Sequence, residues 1–177
     1  MPGTAMLAAF SRDWIGGDIR ELREVAERLY SYLPQLQDLV DRLSMTSENL
    51  THGRPGGWQG PAADEFAGTW NRQAAAARVL EEYVSTAART IEWLAVELSR
   101  IESALENEAS LVARDGVHIG GDGTVIGYAG PVGLLTAFEY RTLFQRAQDD
   151  AEQARTVAAE QLSRLFQRVL RPSPARC

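Results

Sequence analysis

The sequence predicts an all-α fold: an elongated antiparallel three-helix bundle built on a long helical hairpin, with a small β-hairpin between helices two and three. Leucines recur at Leu22, Leu29, Leu36, Leu43 and Leu50, a seven-residue step that defines an apolar helical seam. A second seam with the same step passes through Trp70, Ala77, Val84, Ile91, Leu98, Leu105 and Val112. Between them lies a corner of Gly53, Pro55, Gly56, Gly57, Gly60 and Pro61. No continuous helix passes such a corner, because glycine adds backbone freedom and proline removes a backbone donor.

Residues 1–17 read as a leader containing Phe10, Trp14 and Ile15, a short irregular or one-to-two-turn segment. The main domain then spans 18–170. Helix one is expected over about 18–50, opened by Asp18 with Glu21 three residues on, a capping-box-like pair. Pro34 inside this stretch predicts a kink near Tyr30 to Pro34. Helix two is expected over 61–114. Pro61 suits its first turn, and Asp64 and Glu65 complement the positive end of its dipole.

At 1.5 Å per residue helix two would be roughly 80 Å long, against about 50 Å for helix one. Its seam therefore needs a second partner. That partner is helix three, expected over 134–170, with Phe144, Ala151, Ala158 and Leu165 seven apart and Ala147, Ala154, Leu162 and Val169 between them. Before it, Val117-His118-Ile119 and Thr124-Val125-Ile126 flank Gly120-Gly121-Asp122-Gly123, the signature of a β-hairpin over about 116–128. The tail, 171–177, reads as linker-like.

A chain of 177 residues is long enough for one domain with a substantial core. Its 18 basic and 24 acidic residues give a net charge of −6, which argues against nucleic-acid or anionic-membrane partners. The single cysteine, Cys177, leaves no internal disulfide. Ala5 to Phe10 is too short for the apolar core of a signal peptide. The longest uncharged run, Gly123 to Phe138, is broken by glycines and a proline and is no membrane span.

No catalytic, cofactor-binding or metal-ligating set is expected. His52 and His118 fall in different loops without a cysteine or carboxylate cluster at ligand spacing, and no phosphate loop or Gly-x-Ser-x-Gly occurs. Gly120-Gly121-Asp122-Gly123 reads as a tight turn rather than a calcium repeat. The Glu102, Glu106 and Glu108 run and Asp149-Asp150 read as solvated helix faces.

Trp58-Gln59-Gly60 is a weak motif by itself; its place in the turn of a helical hairpin is the informative part. The chain resembles the WXG family of type VII secretion substrates, whose hairpins carry Trp-x-Gly in that turn. Ala62-Ala63-Asp64-Glu65-Phe66 followed by Trp70 is similar to the start of that family's second helix. Trp14-Ile15-Gly16-Gly17-Asp18-Ile19, Gly116-Val117-His118-Ile119 and Asp122-Gly123-Thr124-Val125 resemble the larger actinobacterial version, a secretion-signal domain ahead of polymorphic toxins.

The resemblance implies a non-enzymatic targeting and interaction module. It would be made in the cytoplasm and secreted without a cleaved signal peptide. The implied partners are a small WXG-family helical protein in a heterodimer, or a second copy in a homodimer, and the secretion ATPase complex, with binding through Trp58, Gly60, Phe66, Trp70, Trp93 and Glu97. The competing expectation is a self-assembling helical scaffold. The family's Tyr-x-x-x-Asp/Glu export motif is missing, since Tyr30, Tyr32, Tyr83, Tyr128 and Tyr140 are followed four residues on by Pro34, Leu36, Ala87, Val132 and Phe144. Trp93 and Glu97, one helical turn apart, are the nearest substitute; their plainer reading is a seam-edge aromatic and a solvated glutamate.

Overall fold

The computed structural model describes residues 13–51 and 58–170. It contains α1 (Ile19–Thr51), α2 (Pro61–Val112), a 3-10 turn (Ala113–Asp115), β1 (Val117–Ile119), β2 (Val125–Tyr128) and α3 (Gly130–Leu170). The leader up to residue 12, the first half of the glycine-rich corner with His52, and the tail 171–177 lie outside the described residues.

The helices form where periodicity places them. At the start of α1, the Asp18 side chain accepts the Glu21 backbone N–H at 2.8 Å, satisfying one of the orphan donors of the first turn. The helix continues on both sides of Pro34. α3 begins at Gly130 rather than near Leu134. Pro131 stands in its first turn, where a missing N–H leaves no intrahelical bond unmade; the rule that locates the start of α2 at Pro61 locates α3 as well. β1 and β2 are antiparallel, with Val117 opposite Tyr128, His118 opposite Gly127 and Ile119 opposite Val125. The extra residue, Ile126, makes a bulge. The second strand runs from Val125 to Tyr128.

The chain divides into two compact units. The first comprises 13–22 with 93–160. Its core joins Trp14, Ile15 and Ile19 to Leu98, Ile101, Leu105 and Val112 of α2, Val117 of β1, and Ala137, Tyr140, Ala147 and Ala151 of α3. In this cluster α3 contributes alanines and α2 leucines, and each fully buried leucine contributes about 1.5–3 kcal/mol. Trp14 and Ile15, expected in a leader, belong to this core at 4 and 7 % exposure.

Tyr140 is 1 % exposed and donates its hydroxyl to the Gly123 carbonyl at 3.1 Å. Burial pushes its pKa up to about 12, with a smaller contribution from Glu108. Because the folded value lies above the usual 10, its contribution to stability is complete below about pH 10 and is lost as pH rises through about 12. Urea unfolding should therefore show stability falling across that window. Tyr140→Phe should remove the tyrosine's share of the slope, while losing about 1 kcal/mol at neutral pH with the hydrogen bond. An unchanged alkaline slope in the variant would refute the assignment.

The second unit comprises 23–92 with 161–170 among the described residues. Three side-chain hydrogen bonds set its register: Tyr30 to Glu92 at 2.6 Å, Gln37 to Glu81 at 2.9 Å, and Arg78 to Ser44 at 3.1 Å. Partners retreat along α2 as they advance along α1, so the two helices run antiparallel over this stretch. All three bonds are exposed and individually weak; they report alignment more than they supply stability. The glutamate hydrogen bond raises the Tyr30 pKa. Burial in this unit rests mostly on small side chains, with Ala26 and Val40 of α1, Ala63, Ala74, Ala77 and Ala88 of α2 and Leu165 of α3 all below 9 % exposure.

Candidate functional site

The opening of α2 is built around Gly60. Its φ of +102° lies in the left-handed region, and its carbonyl accepts the N–H groups of Ala63 at 2.9 Å and Asp64 at 3.1 Å. A side chain there would meet open space, so the backbone conformation and not crowding calls for glycine. Pro61 follows as the first helical residue.

Trp58 precedes this start, and Phe66 and Trp70 project one and two turns into the helix. The three rings form a ladder, with centroids 5.3 Å apart from Trp58 to Phe66 and 5.2 Å from Phe66 to Trp70. Such spacings are those of favourable aromatic pairs. Trp58, at the outer end, is 46 % exposed. The Trp70 indole nitrogen is buried and has no acceptor among the described residues. Four of the proposed binding residues, Trp58, Gly60, Phe66 and Trp70, thus fall in one place.

Further along the same unit, Tyr32, Gln35, Leu36 and Leu39 of α1 and Leu80 and Val84 of α2 line a groove of about 380 Å³. Tyr32, Leu39 and Leu80 are 55, 45 and 49 % exposed. All three fall between the seven-residue steps of the two seams, in the intermediate positions of the same apolar stripes. The structure buries only the Ala26 and Val40 side of that stripe and leaves the Tyr32 and Leu39 side open.

Trp93 and Glu97 belong to the other unit. Trp93 is 42 % exposed. Glu97 is held by Arg100 at 2.6 Å, and this hydrogen bond lowers the carboxyl pKa. The pair therefore offers an exposed indole, but its carboxylate is already engaged.

Sequence reasoning missed a second constellation. The Trp14 backbone N–H donates to Glu102 Oε1 at 3.2 Å, and its indole N–H donates to the Gly121 carbonyl at 2.9 Å. Arg155 donates to the Ile15 carbonyl at 2.7 Å and also to the Gly16 carbonyl. Glu102 is thus no solvated residue: it is 4 % exposed, and the strap crossing α2 covers it. Its helical position gives no hint of this, because the covering segment comes from 88 residues away. The glycine-rich turn is also more than a turn, since a Cβ on Gly123 would stand 2.7 Å from both Phe144 and Trp14. The only legible hint was a tryptophan beside Gly16-Gly17, without periodicity to place it.

Among the described residues no group of three or more histidine, cysteine, aspartate or glutamate side chains could hold a metal, and no helix is long and apolar enough to cross a membrane. Over the described residues the chain is mostly helical, with three helices and a two-stranded antiparallel sheet between the second and third. Comparison with family models, curated proteins and solved structures finds no match.

Proposed function

We propose that this chain is a non-enzymatic docking and targeting module of the type VII secretion kind, an antiparallel three-helix bundle recognised through the hairpin end that carries Trp58. The observation that carries the reading is the exposed Trp58 indole, seated on Phe66 and Trp70 at a glycine-set helix start. An indole held by stacked rings and half open to solvent is pre-organised for a protein contact, because little side-chain freedom is left to lose on binding. The antiparallel register of α1 and α2 supports the hairpin part of the reading.

The groove of Tyr32, Leu36, Leu39, Leu80 and Val84 supplies an apolar strip for the helical face of a small hairpin partner. The secretion ATPase complex would meet the Trp58 end, with Trp93 as a further exposed aromatic. In this reading the protein leaves the cytoplasm without a cleaved signal peptide.

The test is co-expression with small helical-hairpin proteins encoded beside it, followed by co-purification and an export assay. Trp58→Ala should keep full helicity by circular dichroism, while losing export or partner capture by at least about tenfold, the effect of a modest hot spot. Unchanged export and capture would remove Trp58 from recognition. Glu97→Ala should reduce export only if that carboxylate leaves Arg100 to bind the machinery.

A further inference from the structure

The strap from Trp14 to Gly17 is held the way a peptide ligand is held, by its main chain and one aromatic ring. The indole lies beside Gly123, where a Cβ would stand 2.7 Å from it, so the glycine shapes the slot for the ring. The indole N–H reaches the Gly121 carbonyl, and the Trp14 backbone N–H reaches Glu102. Arg155 grips the carbonyls of Ile15 and Gly16, and such charge-assisted bonds are stronger than neutral ones. Glu102 is 4 % exposed, a burial at which a carboxylate is kept only with hydrogen-bond donors on it.

Trp14-Ile15-Gly16 and Trp58-Gln59-Gly60 repeat one local pattern. In both, the glycine two places after the tryptophan is left-handed, with φ of +75° at Gly16 and +102° at Gly60. In both, a helix begins within three residues, at Ile19 and at Pro61. One tryptophan is seated at 4 % exposure and the other is offered at 46 %. The seated copy shows what receives such a corner. It also shows a preference, because the middle residue, Ile15, is 7 % exposed and an aliphatic side chain gains most from that burial.

We propose that the clasp of Glu102, Gly121 and Arg155 is a receptor site for Trp-x-Gly corners with an aliphatic middle residue, filled in the free chain by its own strap and taken over by the corner of another helical protein. Gln59 holds the middle place in this chain's exposed corner. Burying its amide where Ile15 sits would strand polar groups, so the ligand is a different polypeptide and not a second copy. The strap is an internal competitor. Tethered to the site, it acts at an effective concentration on the order of millimolar, which keeps the site closed until the strap is loosened. The clasp and the Trp58 ladder belong to different units, and peptide binding is measured without any export readout, so this proposal and the targeting reading fail separately.

The test uses the full chain and a fluorescently labelled peptide of residues 13–20, followed by anisotropy. Trp14→Ala, whose strap no longer fills the slot, should bind the peptide saturably and at least about 30-fold more tightly than the intact chain does. The peptide should also raise the unfolding temperature of that variant and leave that of the intact chain unchanged. Gly16→Val with Gly17→Val opens the strap by a second route, since both positions are left-handed and a branched side chain is strained there. It leaves Glu102, Gly121, Gly123 and Arg155 in place, so it should admit the peptide even where Trp14→Ala is too unstable to assay. Arg155→Ala added to either variant should weaken binding by about tenfold or more. A peptide of residues 56–63, with Gln59 in the middle, should bind at least about tenfold more weakly than 13–20. Absence of binding in both strap variants, or binding indifferent to alanine in place of the peptide's tryptophan, would overturn the receptor site. Equal binding of the two peptides would overturn the aliphatic preference and admit this chain's own corner as a ligand.

Discussion

Trp14→Ala is expected to destabilise the unit formed by 13–22 and 93–160 by about 3–5 kcal/mol, the range for removing a fully buried large aromatic. The indole is 4 % exposed and packs in the core with Ile15, Ile19 and Leu98. Its N–H is also spent on the Gly121 carbonyl, so truncation leaves a cavity and an unpaired acceptor together. The strap it anchors is held further by Glu102 and Arg155. Loss of the indole should therefore loosen the whole segment and not only its own contacts. Urea unfolding followed by tryptophan fluorescence and, separately, by far-ultraviolet circular dichroism measures the effect. A loss below about 1 kcal/mol, within the ordinary range of surface substitutions and small trims, would show that the strap is peripheral.

Gly123→Ala should be the most costly glycine replacement in the hairpin, at roughly 3 kcal/mol. Two effects add. A Cβ would lie 2.7 Å from Phe144 and from the Trp14 ring, and overpacking of this kind costs about 1–3 kcal/mol. The residue also has φ of +81°, where a side chain adds about 1–2 kcal/mol. Gly121 is the control: a Cβ there meets nothing within 4 Å, so Gly121→Ala should be close to neutral. The two sites also make a cycle. In the Trp14→Ala background the crowding is relieved on one side, so Gly123→Ala should cost less than it does alone. Strict additivity would mean that the Cβ does not press on the indole.

The helix start beneath the Trp58 ladder was legible because it is local, whereas the stacking of Trp58, Phe66 and Trp70 was not expected from the sequence. Gly60, Pro61, Phe66 and Trp70 sit within eleven residues of one another, and turn chemistry and helical spacing act at that range. The Trp14 clasp was not legible, because its members lie at 14, 102, 121, 123 and 155, and no periodic pattern links them. Glu102 shows the cost of reading a helix in isolation: a carboxylate among other glutamates looks solvated until the strap that covers it is in place. Glu97 shows the milder case, where a neighbour three residues away engages a carboxylate that spacing alone would leave free for a receptor.

Three helices, their order, the corner before α2 and the hairpin before α3 follow from the sequence alone, because the seven-residue seams, proline at first helical turns and glycine in tight turns act within a few residues. Only the tertiary structure decided which side of each apolar stripe is covered. Ala26 and Val40 are buried while Tyr32 and Leu39 stay open, and α3 turns Ala137 inward and Phe138 outward. The physical reason is that hydrophobicity has no direction of its own: a stripe of apolar side chains specifies that something should cover it, and the path of the rest of the chain determines what does.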